Sequence, residues 1–89
     1  MVEKKVTVLN ENGMHARPAA MLVETASRFI SSIVLDNSGV ESNAKSIMGI
    51  LTLSAVCGTE IIVRCDGDDE QEALEAVSNL FLNRFGQEA

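Results

Sequence analysis

Three features of the sequence predict an α+β fold: an open-faced β-sandwich in which a four-stranded antiparallel sheet is covered on one face by three helices. Stretches that alternate apolar and polar residues interleave with stretches whose apolar residues recur every three or four positions, in the order β-α-β-β-α-β-α. The strands are too short and too alternating for a doubly wound parallel sheet, whose buried strands read as continuous apolar runs. A chain of 89 residues with 46% hydrophobic content can bury one modest core, so residues 1–89 are expected to be a single domain.

The first strand is read from Val2 to Leu9, where Val2, Lys4, Val6 and Val8 share one side, and residues 10–13 end it. Ala19, Leu22, Val23, Ala26 and Ile30 then form an apolar stripe, which predicts a first helix over Ala16 to Phe29. Ser31 to Asp36 is a β-branched run, Asn37-Ser38-Gly39 is a turn signal, and Val40 to Asn43 returns as the second half of a hairpin. Ile47, Ile50 and Leu51 have the spacing of a short core-facing helix, with Ser46 where an N-cap belongs. Glu60 to Cys65 is apolar on most of both faces and is therefore expected in the middle of the sheet. Asp68 or Asp69, with Gln71 or Glu72 three residues on, predicts a capping box for a last helix that buries Ala73, Val77, Leu80 and Phe81. Arg84 and Gly86 suit that helix's end.

A formal charge of -6 and the absence of Trp and Tyr argue against nucleic acid, because a phosphate backbone is bound by Lys and Arg that release its counterions. The same charge disfavours an anionic membrane and suits docking onto proteins that present a basic face. The first five residues include Glu3, Lys4 and Lys5 where a signal peptide needs an apolar run, and the longest uncharged stretch, 46–59, is too short to span a bilayer. The expected compartment is the cytoplasm. Cys57 and Cys65 read as reduced, buried side chains there.

The chemistry concentrates in Gly13-Met14-His15-Ala16-Arg17-Pro18-Ala19, which holds the single histidine of the chain. Proline is tolerated in a helix only in its first turn, so Pro18 puts the helix start within a few residues upstream and His15 at or beside it. Propensity alone makes Pro18 the first helical residue and Arg17 the cap, a register open by one or two residues. In either register the helix end offers backbone N–H groups and a partial positive charge beside the imidazole, and Arg17 adds a guanidinium. A neutral imidazole is a nucleophile that forms covalent intermediates, and such donors stabilise a phosphoryl group bound to it. An anion-binding helix end and an ordinary surface histidine both fit these residues.

That segment resembles the active-site signature of the HPr family, the histidine-containing phosphocarriers of the bacterial phosphoenolpyruvate:sugar phosphotransferase system. Chain length, element order and a second motif, Lys45-Ser46-Ile47-Met48-Gly49, extend the resemblance over essentially the whole chain, with Met14 in place of the usual Ile or Leu. The resemblance implies that His15 accepts a phosphoryl group from phospho-enzyme I on Nδ1 and passes it to the IIA components of sugar permeases, with Arg17 on the phosphoryl oxygens. It implies a phosphoryl carrier and not an enzyme, without cofactor or metal, cytoplasmic and monomeric. Ala16, Ala20, Ile47 and Met48 would belong to the surface that docks these partners. Ser46 would be a regulatory site for HPr kinase/phosphorylase in addition to its cap role.

The acidic run 66–70 lacks the ligand pattern of a calcium loop, since Val77 stands where its bidentate Glu belongs. Two other functions compete. A nitrogen-type regulatory phosphocarrier would share the chemistry, with the 45–49 motif favouring the sugar system. A non-phosphorylated module of ferredoxin-like architecture that binds a small molecule would share the element order but leaves His15, Arg17 and Pro18 unexplained.

Overall fold

A computed structural model describes residues 1–86. Strands β1 (Val2–Thr7), β2 (Ser32–Asn37), β3 (Val40–Asn43) and β4 (Glu60–Asp66) alternate with helices α1 (Ala16–Ala26), α2 (Ile47–Leu51) and α3 (Glu70–Leu82), and a 3-10 turn follows at Arg84–Gly86. The four strands form one sheet in the order β1-β4-β2-β3 with every neighbouring pair antiparallel. β4 is thus interior, as its two-sided apolar pattern requires.

Register sorts the side chains. Ile33, Leu35, Ile61, Val63 and Cys65 are buried beneath the helices, where they meet Leu22 and Ala26 of α1, Ile50 of α2 and Ala73, Val77 and Phe81 of α3. Phe81 and Phe85 close this core edge to face, with ring centroids 4.9 Å apart. On the opposite face Arg64 of β4 reaches Asp36 at 2.9 Å, Glu41 at 3.1 Å and Glu3 at 3.6 Å. This ladder of charge across all four strands keeps the open face polar. Among the described residues no helix is long and apolar enough to cross a membrane.

Several details differ from the sequence reading. α1 stops at Ala26 and not at Phe29, because the Arg28 and Phe29 amides turn back to the carbonyls three residues earlier. Beyond them the Asp69 carboxylate draws the Ile30 and Ser31 amides out of the helical path, at 3.0 Å each. Ile30, expected in the apolar stripe, is consequently 75% exposed. Asp69 occupies the N-cap position of α3 but makes no side-chain bond to its own helix, so the expected capping box does not form. Instead, Glu70 accepts from the Gly67 amide at 3.1 Å. Regular strand β1 ends at Thr7, although Val8 still pairs with Thr59 and Gly58. Cys65 is buried as expected, and burial pushes its thiol up to about 11. Cys57 is exposed, because its segment closes by backbone bonds to Val8 and leaves the side chain outside.

Candidate functional site

The site begins where β1 ends. Residues 10–13 form a turn closed by the Gly13 amide on the Asn10 carbonyl at 3.0 Å, and the buried Asn10 side-chain amide donates back to the Gly13 carbonyl. Gly13 has φ +68°, and a Cβ there would stand 2.5 Å from the Ala55 carbonyl oxygen and 2.9 Å from the Val56 Cα. Only glycine satisfies both the left-handed backbone and the close approach. The next residue, Met14, donates its amide to that same Ala55 carbonyl at 2.8 Å and buries its side chain. The 54–59 segment therefore straps the approach to α1 from outside.

His15 follows as the N-cap of α1, with extended backbone (φ -105°, ψ -169°), and its carbonyl accepts the first helical bond from Ala19 at 3.0 Å. The helix thus starts at Ala16, two residues before the start that propensity favoured, and Pro18 is its third residue. All positions of a first turn lack an internal acceptor, so proline fits at the third as well as at the first, and here its ring is buried. Helix geometry leaves the Ala16 and Arg17 amides at the N-terminal end, beside the half-buried His15. Arg17, Ala16 and Ala20 are exposed.

α2 packs against α1 and supplies the other predicted residues. Ser46 is its N-cap, with Oγ accepting from the Gly49 amide at 3.2 Å. Met48 is 70% exposed. Ile47, read as core-facing by its spacing, is 42% exposed, because a helix of five residues can centre only Ile50 on the core. Lys45 anchors the start of α2 by donating its Nζ to the Phe29 carbonyl at 2.7 Å.

The structure therefore gathers His15, Ala16, Arg17 and Ala20 on the first turns of α1, and Ser46, Ile47 and Met48 at the start of the helix packed against it. Asn10, Ala55 and the exposed Val56 belong to the same region and were missed in the sequence. The Asn-x-x-Gly spacing before Met14 was the available signal for Asn10; Ala55 and Val56 carry none. A concavity of about 430 Å³ lies elsewhere, lined by Met1, Ser32, Val34, Glu41, Arg64 and Asp66 on the open sheet face, and contains none of these residues. A helix end with exposed apolar side chains on the neighbouring helix suits a protein surface better than an enclosed metabolite.

Comparison with known proteins agrees with this geometry. Residues 2–83 match the model of the family described as PTS HPr component phosphorylation site. Phosphocarrier protein HPr of Treponema pallidum is 50% identical over 88 residues, which is 99% of this chain and 100% of the relative. The crystal structure of HPr-C-His from Thermoanaerobacter tengcongensis superposes with TM-score 0.96 at 43% identity, covering 100% of both chains. A structure described as an HPr dimer from the same organism gives TM-score 0.79 at 42% identity, covering 98% of this chain and 100% of that one.

Proposed function

Because this chain belongs to the HPr family, the phosphocarriers of the phosphotransferase system, we propose that His15 is the residue that carries the phosphoryl group. The observation that supports this reading is the placement of a nucleophilic imidazole at the N-cap of α1, beside the Ala16 and Arg17 amides and the exposed Arg17 guanidinium. An imidazole nitrogen lone pair forms the new N–P bond as the bond from phosphorus to the donor protein breaks, its electron pair leaving with the donor. The reverse exchange delivers the group to an acceptor. Amide dipoles and Arg17 hold the phosphoryl oxygens through both steps, so neither direction needs a metal to neutralise charge.

The donor in this reading is phospho-enzyme I and the acceptors are IIA components of sugar permeases, met through Ala16, Ala20, Ile47 and Met48. Residues 1–89 work as one carrier domain in the cytoplasm, as single copies. Ser46 is a second phosphorylation site, used by an HPr kinase/phosphorylase to lower transfer. Incubation with phosphoenolpyruvate and purified enzyme I tests the central claim: one phosphoryl group should appear, mapped to His15, stable in alkali and lost in mild acid. Label on any other residue, or none, would refute it. Sedimentation of the phosphorylated and unphosphorylated chain at micromolar concentration tests the monomer.

A further inference from the structure

We infer that Asn10 is a positioning residue for phosphoryl transfer at His15, an inference that rests on His15 being the acceptor. Asn10 is 0% exposed, one of three buried polar residues among those described. Its Nδ2 donates to the Gly13 carbonyl, while its Oδ1 has no partner among the described residues. A buried amide oxygen without a partner costs stability that an aliphatic side chain of similar size would avoid. The side chain thus has one polar task, on the Gly13 carbonyl.

That carbonyl is the joint between the turn and the phosphoryl acceptor, because it also takes the His15 backbone amide at 3.2 Å. The Asn10 carbonyl meanwhile holds the Gly13 amide at 3.0 Å, so the turn is closed from both ends. Gly13 sits at φ +68° against Ala55, and Met14 is pinned to the same Ala55 carbonyl at 2.8 Å. His15 is the first residue after this braced path, and its extended backbone angles aim the side chain from it. Phosphoryl transfer is mostly positioning and electrostatics, so freedom of the 10–13 turn translates into a ring that meets the donor less often in line. Asn10 is fully buried and so presents no surface of its own to a docking partner. Losing its amide therefore lowers kcat and leaves KM alone.

The test compares full-length wild type, Asn10→Ala, Asn10→Asp and, as a control for stability, Val77→Ala in the core beneath α3. Transfer from phospho-enzyme I is followed at saturating and limiting concentrations well below every melting point, and the His15 ring is titrated by NMR in each protein. Both Asn10 variants should lose about tenfold or more in kcat with KM within about twofold, and their ring titration should move. Val77→Ala should melt lower with wild-type kcat and ring titration. Wild-type kcat in Asn10→Ala, or an equal kcat loss in Val77→Ala, would overturn the inference. Should neither Asn10 variant fold, the wild type still decides: its Asn10 Nδ2 resonances should shift when His15 is phosphorylated, and unchanged resonances would overturn it. A wild type that takes no phosphoryl group refutes the His15 assignment itself, whereas a phosphorylated wild type matched by Asn10→Ala refutes only the role of Asn10.

Discussion

The Ser31 hydroxyl donates to the Asp69 carboxylate across 38 residues of chain, fastening the exit of α1 to the start of α3. The same carboxylate takes the Ile30 and Ser31 amides, so it caps a corner of the chain in place of its own helix. The Ser31 hydroxyl does most to hold the Asp69 carboxyl below the usual carboxylate range; desolvation opposes it, and the Ile30 and Ser31 amides add to the lowering.

A folded-state carboxyl held low binds fewer protons than the unfolded chain, so its contribution is complete above the unfolded value and is lost as pH falls through the folded one. Asp69→Asn should therefore unfold at lower urea than wild type at neutral pH, with the gap narrowing below about pH 4. Ser31→Ala should show part of the same effect. Asp36 and Glu70 are also held low, chiefly by the Gly39 and Gly67 amides, but both remain in every variant and cancel in the comparison. Urea midpoints measured from pH 7 to 2.5 at constant salt check this. A gap independent of pH would contradict the role given to Asp69.

The Ser31–Asp69 bond also shows why some of the fold was legible in the sequence and some was not. Periodicity is local, so the seven elements, their order and the interior place of β4 were readable from residues a few positions apart. The end of α1 is decided by a carboxylate far along the chain, and no local pattern announces that Ile30 leaves the stripe. Asp69 looked like a cap for the helix it precedes because capping chemistry is the same whichever backbone receives it. Pro18 restricts a helix start to its first turn without choosing among the positions there. Cys57 carries no pattern, since a turn bonded through its backbone leaves a small side chain equally able to point in or out. At the site, His15 and Arg17 were visible through their types and spacing, whereas the bracing by Ala55 depends on a strap more than forty residues away.

His15→Ala should remove phosphoryl acceptance while the fold persists. The cap's bond to Ala19 comes from the His15 backbone carbonyl, which alanine retains. The half-buried ring lies outside the core cluster, so the melting temperature should shift by less than about 4 °C, the scale of ~1 kcal/mol in a domain of this size. Mass spectrometry after treatment with enzyme I and phosphoenolpyruvate, alongside calorimetry, separates the two effects. An acid-labile phosphoryl group on the variant would contradict the assignment.

Arg17→Ala should slow transfer without abolishing it, since the imidazole and the helix amides stay in place. Loss of one charge-assisted contact corresponds to roughly 1.5–3 kcal/mol, or about ten- to a hundredfold in rate. Arg17→Lys should recover only part, because a point charge does not reproduce the guanidinium fork. Quench-flow transfer rates in both directions measure this. Wild-type rates in Arg17→Ala would remove the residue from the site.

Ser46 allows stability and transfer to be separated, because its Oγ caps α2 on the Gly49 amide while the neighbouring Ile47 and Met48 face outward. Ser46→Ala loses that acceptor and should cost about 1 kcal/mol, visible as a melting point lower by about 4–8 °C. Ser46→Asp keeps an acceptor of equal capping quality and should melt at or above wild type. The order reverses for phosphorylation by enzyme I. In the proposed reading the partner docks on this face over neutral Ile47 and Met48 and the exposed Arg17 cation, so its own surface there is set against neutral or positive groups whatever the net charge of the chain. The carboxylate of Ser46→Asp opposes it and the second-order rate should fall about tenfold or more, whereas Ser46→Ala should stay close to wild type. The loss should be largest at low salt, where a charge a few ångströms from the interface is least screened. Stopped-flow rates at two ionic strengths, set beside melting curves of the same samples, give both orders at once. If the least stable variant is also the slowest, Ser46 acts through the fold and the regulatory role falls.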